Sequence, residues 1–295
     1  MEEVTFSRGP ARRPLPRVVD PLLQWSTGLQ TNDRRVYAGW LAVVGRSPAF
    51  DEAMQRAGFS QVTIRHGSGN LVTHWEVKVA NLFVISDGIQ TMAEMQQTNE
   101  RVGLAFGWRT LPSGRQQSQL RFRAFLRELL EIGFYEPVSV TVKGTLTSDV
   151  ITALTQQYDV LDAIDAVRES SGKPPLNPPF YACSIPLGPG EEVSRGTVQT
   201  REISPVVAQI STPVTRDYIV QHWIKRAWVP LIEGLIDQTI TWSVAVSAWI
   251  ATDEEATTPA SSEEDVDTAR GLQRAATTHS NGHGGGRPPI DDDLL

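Results

Sequence analysis

Residue types that mark secreted, membrane-spanning or metal-dependent proteins are scarce in this sequence of 295 residues. A single cysteine, Cys183, cannot form a disulfide within the chain. The longest apolar region, 240–251, is interrupted by three hydroxyl residues and is shorter than the roughly 20 apolar residues that cross a bilayer. The sequence near the first residue contains no apolar run, so we expect no signal peptide. We therefore expect a cytoplasmic protein with no membrane partner.

Sequence motifs of enzyme chemistry are equally scarce. The chain has no phosphate-binding loop of the GxxxxGK[ST] type, and its nearest glycine-rich turn, 188–192, contains two glutamates that would repel phosphate. Five histidines show no spacing typical of metal ligands; His279 and His283 lie four residues apart without a further ligand nearby. We therefore expect neither catalytic activity nor a cofactor nor a bound metal.

Charge is distributed unevenly along the chain. Residues 251–295 contain ten acidic and three basic residues, which account for the whole net charge of −7. The 24 acidic and 24 basic residues that remain cancel one another. Local charge matters more than the total for binding. The negative net charge of the whole chain therefore does not exclude a polyanionic partner for the charge-balanced residues 1–250.

Composition divides the chain into three segments. Residues 1–16 combine basic residues with prolines and predict a flexible basic arm. Residues 17–251 predict a single folded core. From residue 252 onward acids, Ser, Thr, Gly and Pro replace large apolar residues, and such a segment cannot bury enough surface to offset its ordering entropy. We therefore expect a disordered acidic tail over 252–295.

Hydrophobic periodicity predicts an α+β core whose sheet is mainly antiparallel, with several helices. Alternating or short apolar runs predict strands at 36–44, 62–65, 71–85, 104–108, 138–143, 180–187, 203–210 and 240–248. Helical spacing predicts helices at 117–132, 147–158 and 215–236, the last kinked or split by Pro230. A bulge or a close backbone approach is expected at Gly39, and a bulge or bend at 80–81.

The chain is rich in tryptophan, with eight residues of this type. Tryptophan faces support stacking of unpaired bases, particularly beside basic residues that follow the phosphates. Three tryptophans are candidates for this role, and the last two have arginines nearby in the sequence: Trp25, Trp40 and Trp108. Trp25 and Trp108 are the ones that we expect to be exposed. The competing interpretation is that a tryptophan on an alternating strand packs in the core, which is the commoner outcome for any single one.

The most basic stretch of the sequence runs from residue 109 to residue 127 and contains no acid. Its arginines are candidates for contacts with phosphates: Arg109, Arg115, Arg121, Arg123 and Arg127. Further candidates from elsewhere in the chain are Arg34, Arg35 and Arg65. The alternative is a solvated surface whose arginines pair with acids from other segments.

The last residues form a short acidic tip, 290–295, after a spacer of glycines and prolines. Its members are Ile290, Asp291, Asp292, Asp293, Leu294 and Leu295. A basic-rimmed apolar pocket on a partner could take the terminal leucine and pair with its carboxylate and with the aspartates. The alternative is an acidic solubilising tail.

This layout resembles that of bacterial and phage single-stranded DNA-binding proteins, in which a linker rich in Gly and Pro ends in aspartates capped by apolar residues. The resemblance covers the last five to eight residues and the order of the segments. The chain departs from the family pattern because it ends in Leu294-Leu295 where the family has Pro-Phe. By analogy, the resemblance suggests an elaborated oligonucleotide-binding barrel for the core.

Two classes of function follow from these patterns. The first is a single-stranded DNA-binding protein of replication or recombination, from a phage or other mobile element, whose acidic tip recruits replication or recombination proteins. The second is a non-enzymatic adaptor or structural protein that binds only proteins. A homo-oligomer is compatible with both.

Overall fold

The computed structural model describes residues 20–30, 36–65, 70–111, 114–195 and 201–251. The predicted arm, the predicted tail with its docking tip 290–295, and the candidates Arg34 and Arg35 all lie outside these ranges.

Twelve strands and seven α-helices are found within the described ranges. The strands are β1 Leu22–Gln30, β2 Val36–Val43, β3 Ser60–Arg65, β4 Leu71–Val77, β5 Ala80–Val84, β6 Leu104–Thr110, β7 Gln116–Leu126, β8 Val138–Lys143, β9 Ile185–Pro189, β10 Val193–Arg195, β11 Arg201–Ile203 and β12 Val206–Ala208. The helices are α1 Pro48–Arg56, α2 Met92–Gln97, α3 Arg127–Glu131, α4 Leu146–Thr155, α5 Gln157–Ser170, α6 Arg216–His222 and α7 Val229–Ala251, with 3-10 turns at Phe180–Ala182 and Arg226–Trp228.

Ten of these strands form one mixed sheet in the order β12-β9-β5-β7-β8-β1-β2-β4-β3, and β6 pairs with β7 beside this path. Only β1 and β8 run parallel; the other pairs are antiparallel. β7 is long enough to pair along one edge first with β6 and then with β5. The α+β class is confirmed, whereas an oligonucleotide-binding barrel is not.

The sheet curls into a half-barrel around its main hydrophobic core. The Trp40 indole of β2 donates a hydrogen bond of 2.9 Å to the Leu187 carbonyl of β9, although four strands separate β2 from β9 in the sheet order. Every second residue of each strand faces this concave side, for example Leu120, Phe122 and Ala124 of β7. Helices α1 and α4 contribute further apolar side chains to the same core.

The other side of the sheet, called the outer face below, is partly covered by α7. Near the start of the helix, Ile232 packs with Phe83 of β5 and Phe125 of β7 in a second apolar cluster. Near its end, Val246 and Ile250 pack with Ala105 of β6. α7 therefore crosses the outer face from β5 to β6. Among the described residues, no helix is both long and apolar enough to span a membrane.

Two predicted elements are wrong, both where apolar residues occur on two sides. The segment 117–132 was predicted as a helix but forms β7 followed by the short helix α3. Phe122 faces the concave core while Phe125 packs in the second cluster, and burial on both faces imitates a helical stripe. The segment 240–248 was predicted as a strand but belongs to α7, whose buried Thr239, Ser243 and Ser247 follow helical spacing.

Several other predictions are confirmed. The strands at 36–44, 104–108 and 138–143 appear as β2, β6 and β8. The long run 71–85 breaks between β4 and β5, one or two residues before the expected bend. The β1–β2 register shifts opposite Gly39, where a bulge was expected. The region 215–236, predicted as helical and kinked or split by Pro230, is divided into α6 and α7, and Pro230 lies in the first turn of α7.

Candidate nucleic-acid interface

The hairpin of β6 and β7 holds three sequence-predicted residues that are exposed or half-buried: Trp108, Arg109 and Arg115. Its strands pair from Leu104 and Phe122 to Thr110 and Gln116. Beyond them the Leu111 amide donates to the Arg115 carbonyl at 2.9 Å. Gly114 closes the turn with a φ of 77°, a left-handed conformation that favours glycine. Strand β6 is therefore followed by a hairpin to β7 and not by the helix predicted at 117–132.

Trp108 presents an indole to solvent near the end of this hairpin. It is 42% exposed, whereas Phe106, two residues earlier on the same side of β6, is 3% exposed. The two rings meet edge to face, with centroids 6.0 Å apart. Phe106 therefore supports one edge of the indole, and the exposed part of Trp108 is available for stacking.

Two arginines lie on the opposite side of the hairpin from Trp108. Arg109 faces Gln117 across the strand pair and is half-buried. Arg115 is exposed and, by strand alternation, is on the same side as Arg109. The hairpin end thus combines an exposed aromatic side chain with two guanidinium groups, which are the groups that bind unpaired strands.

Among the described residues, β7 is the only strand that pairs with β6. Helix α7 packs against β6 as well and holds the hairpin in place. A Cβ atom on Gly107 would lie 2.8 Å from Ile250 Cγ2, so the helix approaches as closely as a glycine allows. The Phe106 amide donates to Ser247 Oγ at 3.0 Å, and this hydroxyl also accepts a 3.1 Å bond from Arg101 Nε. The helix therefore provides a hydrogen-bond acceptor for a backbone amide on the free edge of β6.

Arg121 and Trp249 form an aromatic–basic pair that the sequence did not predict. The guanidinium carbon of Arg121 lies 4.7 Å from the centroid of the half-buried Trp249 ring. When the Gln119 amide oxygen is turned towards Arg121, it accepts hydrogen bonds from Nε at 2.6 Å and Nη2 at 2.7 Å. Because the segment 240–248 just before Trp249 was predicted as a strand, the position of Trp249 above β7 had no signal in the sequence.

Two predicted stacking residues lie in the core instead. Trp40 is fully buried, and its indole donates to the Leu187 carbonyl. Trp25, expected to be exposed, is half-buried against Trp40 with ring centroids 5.0 Å apart, and it donates to the Ser204 carbonyl at 3.1 Å. Both indoles serve packing, as the competing interpretation holds for tryptophans on alternating strands.

Two of the predicted phosphate contacts are engaged in ion pairs. Arg123 is 9% exposed and binds both carboxylate oxygens of Asp20, at 2.6 and 3.0 Å. Arg127 pairs with Glu131 at 3.0 Å and donates to the Gln221 carbonyl. For these two residues the alternative of pairing with acids is the correct one. Arg65 is exposed at the end of β3, the strand farthest from β7 along that branch of the sheet.

A serine–histidine pair lies away from the hairpin. Ser184 Oγ and His222 Nδ1 are 2.9 Å apart, and the Tyr218 ring stacks on His222 at 4.3 Å. Burial, with a smaller effect of Arg127, lowers the pKa of His222 to about 4. Ser184 has no exposed surface. The pair is therefore a structural contact that joins α6 to the residue just before β9. In the described part of the chain, no three His, Cys, Asp or Glu side chains are grouped to hold a metal.

No protein-family model, curated protein or solved structure matches this chain. The hairpin residues themselves are therefore the basis for a functional conclusion.

Proposed function

We propose that the protein binds single-stranded DNA in replication or recombination, and that the β6–β7 hairpin is its contact surface. One observation carries the proposal: Trp108 is 42% exposed on a hairpin that also bears Arg109 and Arg115. The exposed indole on one side of the hairpin end and the two guanidinium groups on its other side supply the stacking and the phosphate contact that unpaired strands require.

The chemistry of these groups favours single strands over duplexes. A base in a duplex is already stacked on its neighbours, whereas an unpaired base can lay its face on the Trp108 indole. Each such stack contributes about 1–3 kcal/mol and tolerates any base. Arg109 and Arg115 add an electrostatic attraction that salt weakens. The expected result is sequence-tolerant binding with a strong salt dependence.

The acidic tip 290–295 supplies the second half of the proposal. Its aspartates and terminal leucines recruit replication or recombination proteins, while the charge-neutral core holds the DNA. The separation of all net negative charge into residues 251–295 supports this division, because the anionic segment is not needed to balance the core.

A fluorescence titration tests DNA binding by the full chain. We expect oligo-dT to quench tryptophan emission at low salt and added salt to reverse the quenching. Replacing Trp108 by alanine should lower the affinity about tenfold or more, since one stacked base is lost. Tyr135→Ala is the matched control, because Tyr135 is also an exposed aromatic residue (52%) but lies outside the hairpin.

Absence of quenching and of oligo-dT binding at low salt would contradict the proposal. That result would favour the adaptor protein that binds only proteins.

A further inference from the structure

A row of polar side chains crosses the outer face of the sheet next to the hairpin. Arg121 of β7 is the cross-strand neighbour of Thr141 of β8, and Thr141 is in turn the neighbour of Gln24 of β1. Two residues further along β8, Lys143 is the cross-strand neighbour of Gln119. The opposite side of the same strands is apolar, with Leu23, Val140 and Phe122 in the concave core.

Thr141 is the unusual member of this row. The residue is 3% exposed, and its hydroxyl has no hydrogen-bond partner among the described residues. Other buried hydroxyls of this region are satisfied: Ser118 bonds the Gly144 carbonyl at 2.9 Å, and Ser247 bonds the Ser243 carbonyl at 2.8 Å. An unsatisfied buried polar group costs about 1–3 kcal/mol, so a protein usually avoids one.

The groups around Thr141 indicate what would satisfy the hydroxyl. Two of the nearest side chains on the outer face, Arg121 and Lys143, are cationic and half-buried. Arg121 is oriented by Gln119 and by the Trp249 ring. An unsatisfied hydroxyl between two cations fits an anionic oxygen that accepts from all three.

The row is also continuous with the hairpin. Gln117, which faces Arg109, and Gln119 and Arg121 are successive outer-face residues of β7. Alternate residues of a strand lie about 7 Å apart, so β7 offers polar groups at regular steps from the hairpin to Thr141.

We propose that Arg121, Thr141 and Lys143 form a second contact site for the phosphodiester backbone of the single strand, continuing from the hairpin along β7. This inference rests on the proposed function, because it extends the path of the same ligand. Because Thr141 is 3% exposed, neighbouring side chains must shift when the strand binds, and the Thr141 hydroxyl then donates to a phosphate oxygen.

The decisive variant is Thr141→Val, which removes the hydroxyl and keeps the side-chain shape. We expect an unchanged or higher melting temperature, because the unsatisfied group disappears, together with an affinity for oligo-dT about three- to tenfold lower. A purely structural role would not produce a protein that is equally stable and binds less tightly. The readouts are thermal unfolding and fluorescence anisotropy of the full chain.

Lys143→Gln gives a second, independent measurement. Loss of one phosphate contact should lower the slope of log affinity against log salt concentration by about 0.7 for a single strand. Lys78→Gln is the matched control, because Lys78 is an exposed lysine between β4 and β5 and lies outside the row. Its slope should equal that of the unmodified protein.

The outcomes separate this inference from the proposed function. If Trp108→Ala weakens binding but Thr141→Val and Lys143→Gln behave like Lys78→Gln, the second site is overturned and the hairpin remains. If both row variants weaken binding and Trp108→Ala does not, the second site is supported and the hairpin assignment is overturned. If the unmodified protein does not bind oligo-dT, both are overturned.

Discussion

The two faces of the curled sheet differ in what their side chains do. On the concave side of β7, Leu120 and Phe122 are fully buried in an apolar core. On the outer face of the same strand, Gln117, Gln119 and Arg121 alternate with them. Because successive residues of a strand point to opposite faces, one segment can specify the fold with one set of side chains and present polar groups with the other.

The strongest test of this contrast compares one residue from each face of β7. Phe122→Ala should destabilise the protein by about 3–5 kcal/mol, because it leaves a cavity in the concave core. Gln117→Ala, on the outer face, should change stability by less than about 0.5 kcal/mol. Urea unfolding of both variants checks the contrast, which fails if the two values are similar.

The outer face itself is divided between structural and accessible arginines. Arg123→Gln should destabilise by about 3 kcal/mol, because Asp20 is left largely buried without its partner, and should leave the salt dependence of DNA binding unchanged. Arg115→Gln should leave stability nearly unchanged and should lower the salt dependence of DNA binding, since Arg115 is exposed. Equal effects of the two variants on binding would remove the distinction between these arginines.

A third variant examines how α7 supports the hairpin. Gly107→Val would place side-chain atoms against Ile250 and the Ser247 carbonyl, so we expect a loss of about 1–3 kcal/mol. The change leaves Trp108 in place but separates the helix from β6, and DNA affinity should fall as well. Gly234→Val, on α7, is the comparison for the effect of a side chain alone, because nothing lies within 4 Å of a Cβ added there and its φ is not in the left-handed region. If Gly107→Val is as stable as the unmodified protein, the close packing of α7 on β6 is not supported.

The smallest effect is expected from the tail. Deleting residues 291–295 should leave oligo-dT affinity unchanged or raise it slightly, because an anionic segment competes with DNA for basic groups. The same deletion should abolish capture of any replication or recombination protein that the tip binds. A sharp loss of DNA affinity would contradict the division of labour between core and tip.

The sequence predicts elements best where a strand buries only one face. β6 and β8 alternate regularly and were predicted. β7 was mistaken for a helix because Phe122 and Phe125 are buried on opposite faces. The later part of α7, 240–248, was mistaken for a strand because its buried residues include Ser243 and Ser247 beside Val246, which leaves little apolar contrast around the helix.

The candidate site was predictable only in its local part. Trp108, Arg109 and Arg115 are close in sequence, so the hairpin brings them together without further information. The partners of Arg123 and Arg121 are distant in the chain: Asp20 lies 103 residues away and Trp249 lies on α7. Composition cannot reveal such pairs, which decide whether an arginine is structural or accessible.

Ultraviolet cross-linking of oligo-dT to the full chain, followed by identification of the modified peptide, tests the central claim most directly. Contact between a thymine and the exposed indole predicts a cross-link within the hairpin, at or beside Trp108. The cross-link should disappear in Trp108→Ala and persist in Tyr135→Ala. Cross-links found only outside the β6–β7 hairpin, or unchanged in Trp108→Ala, would contradict the account.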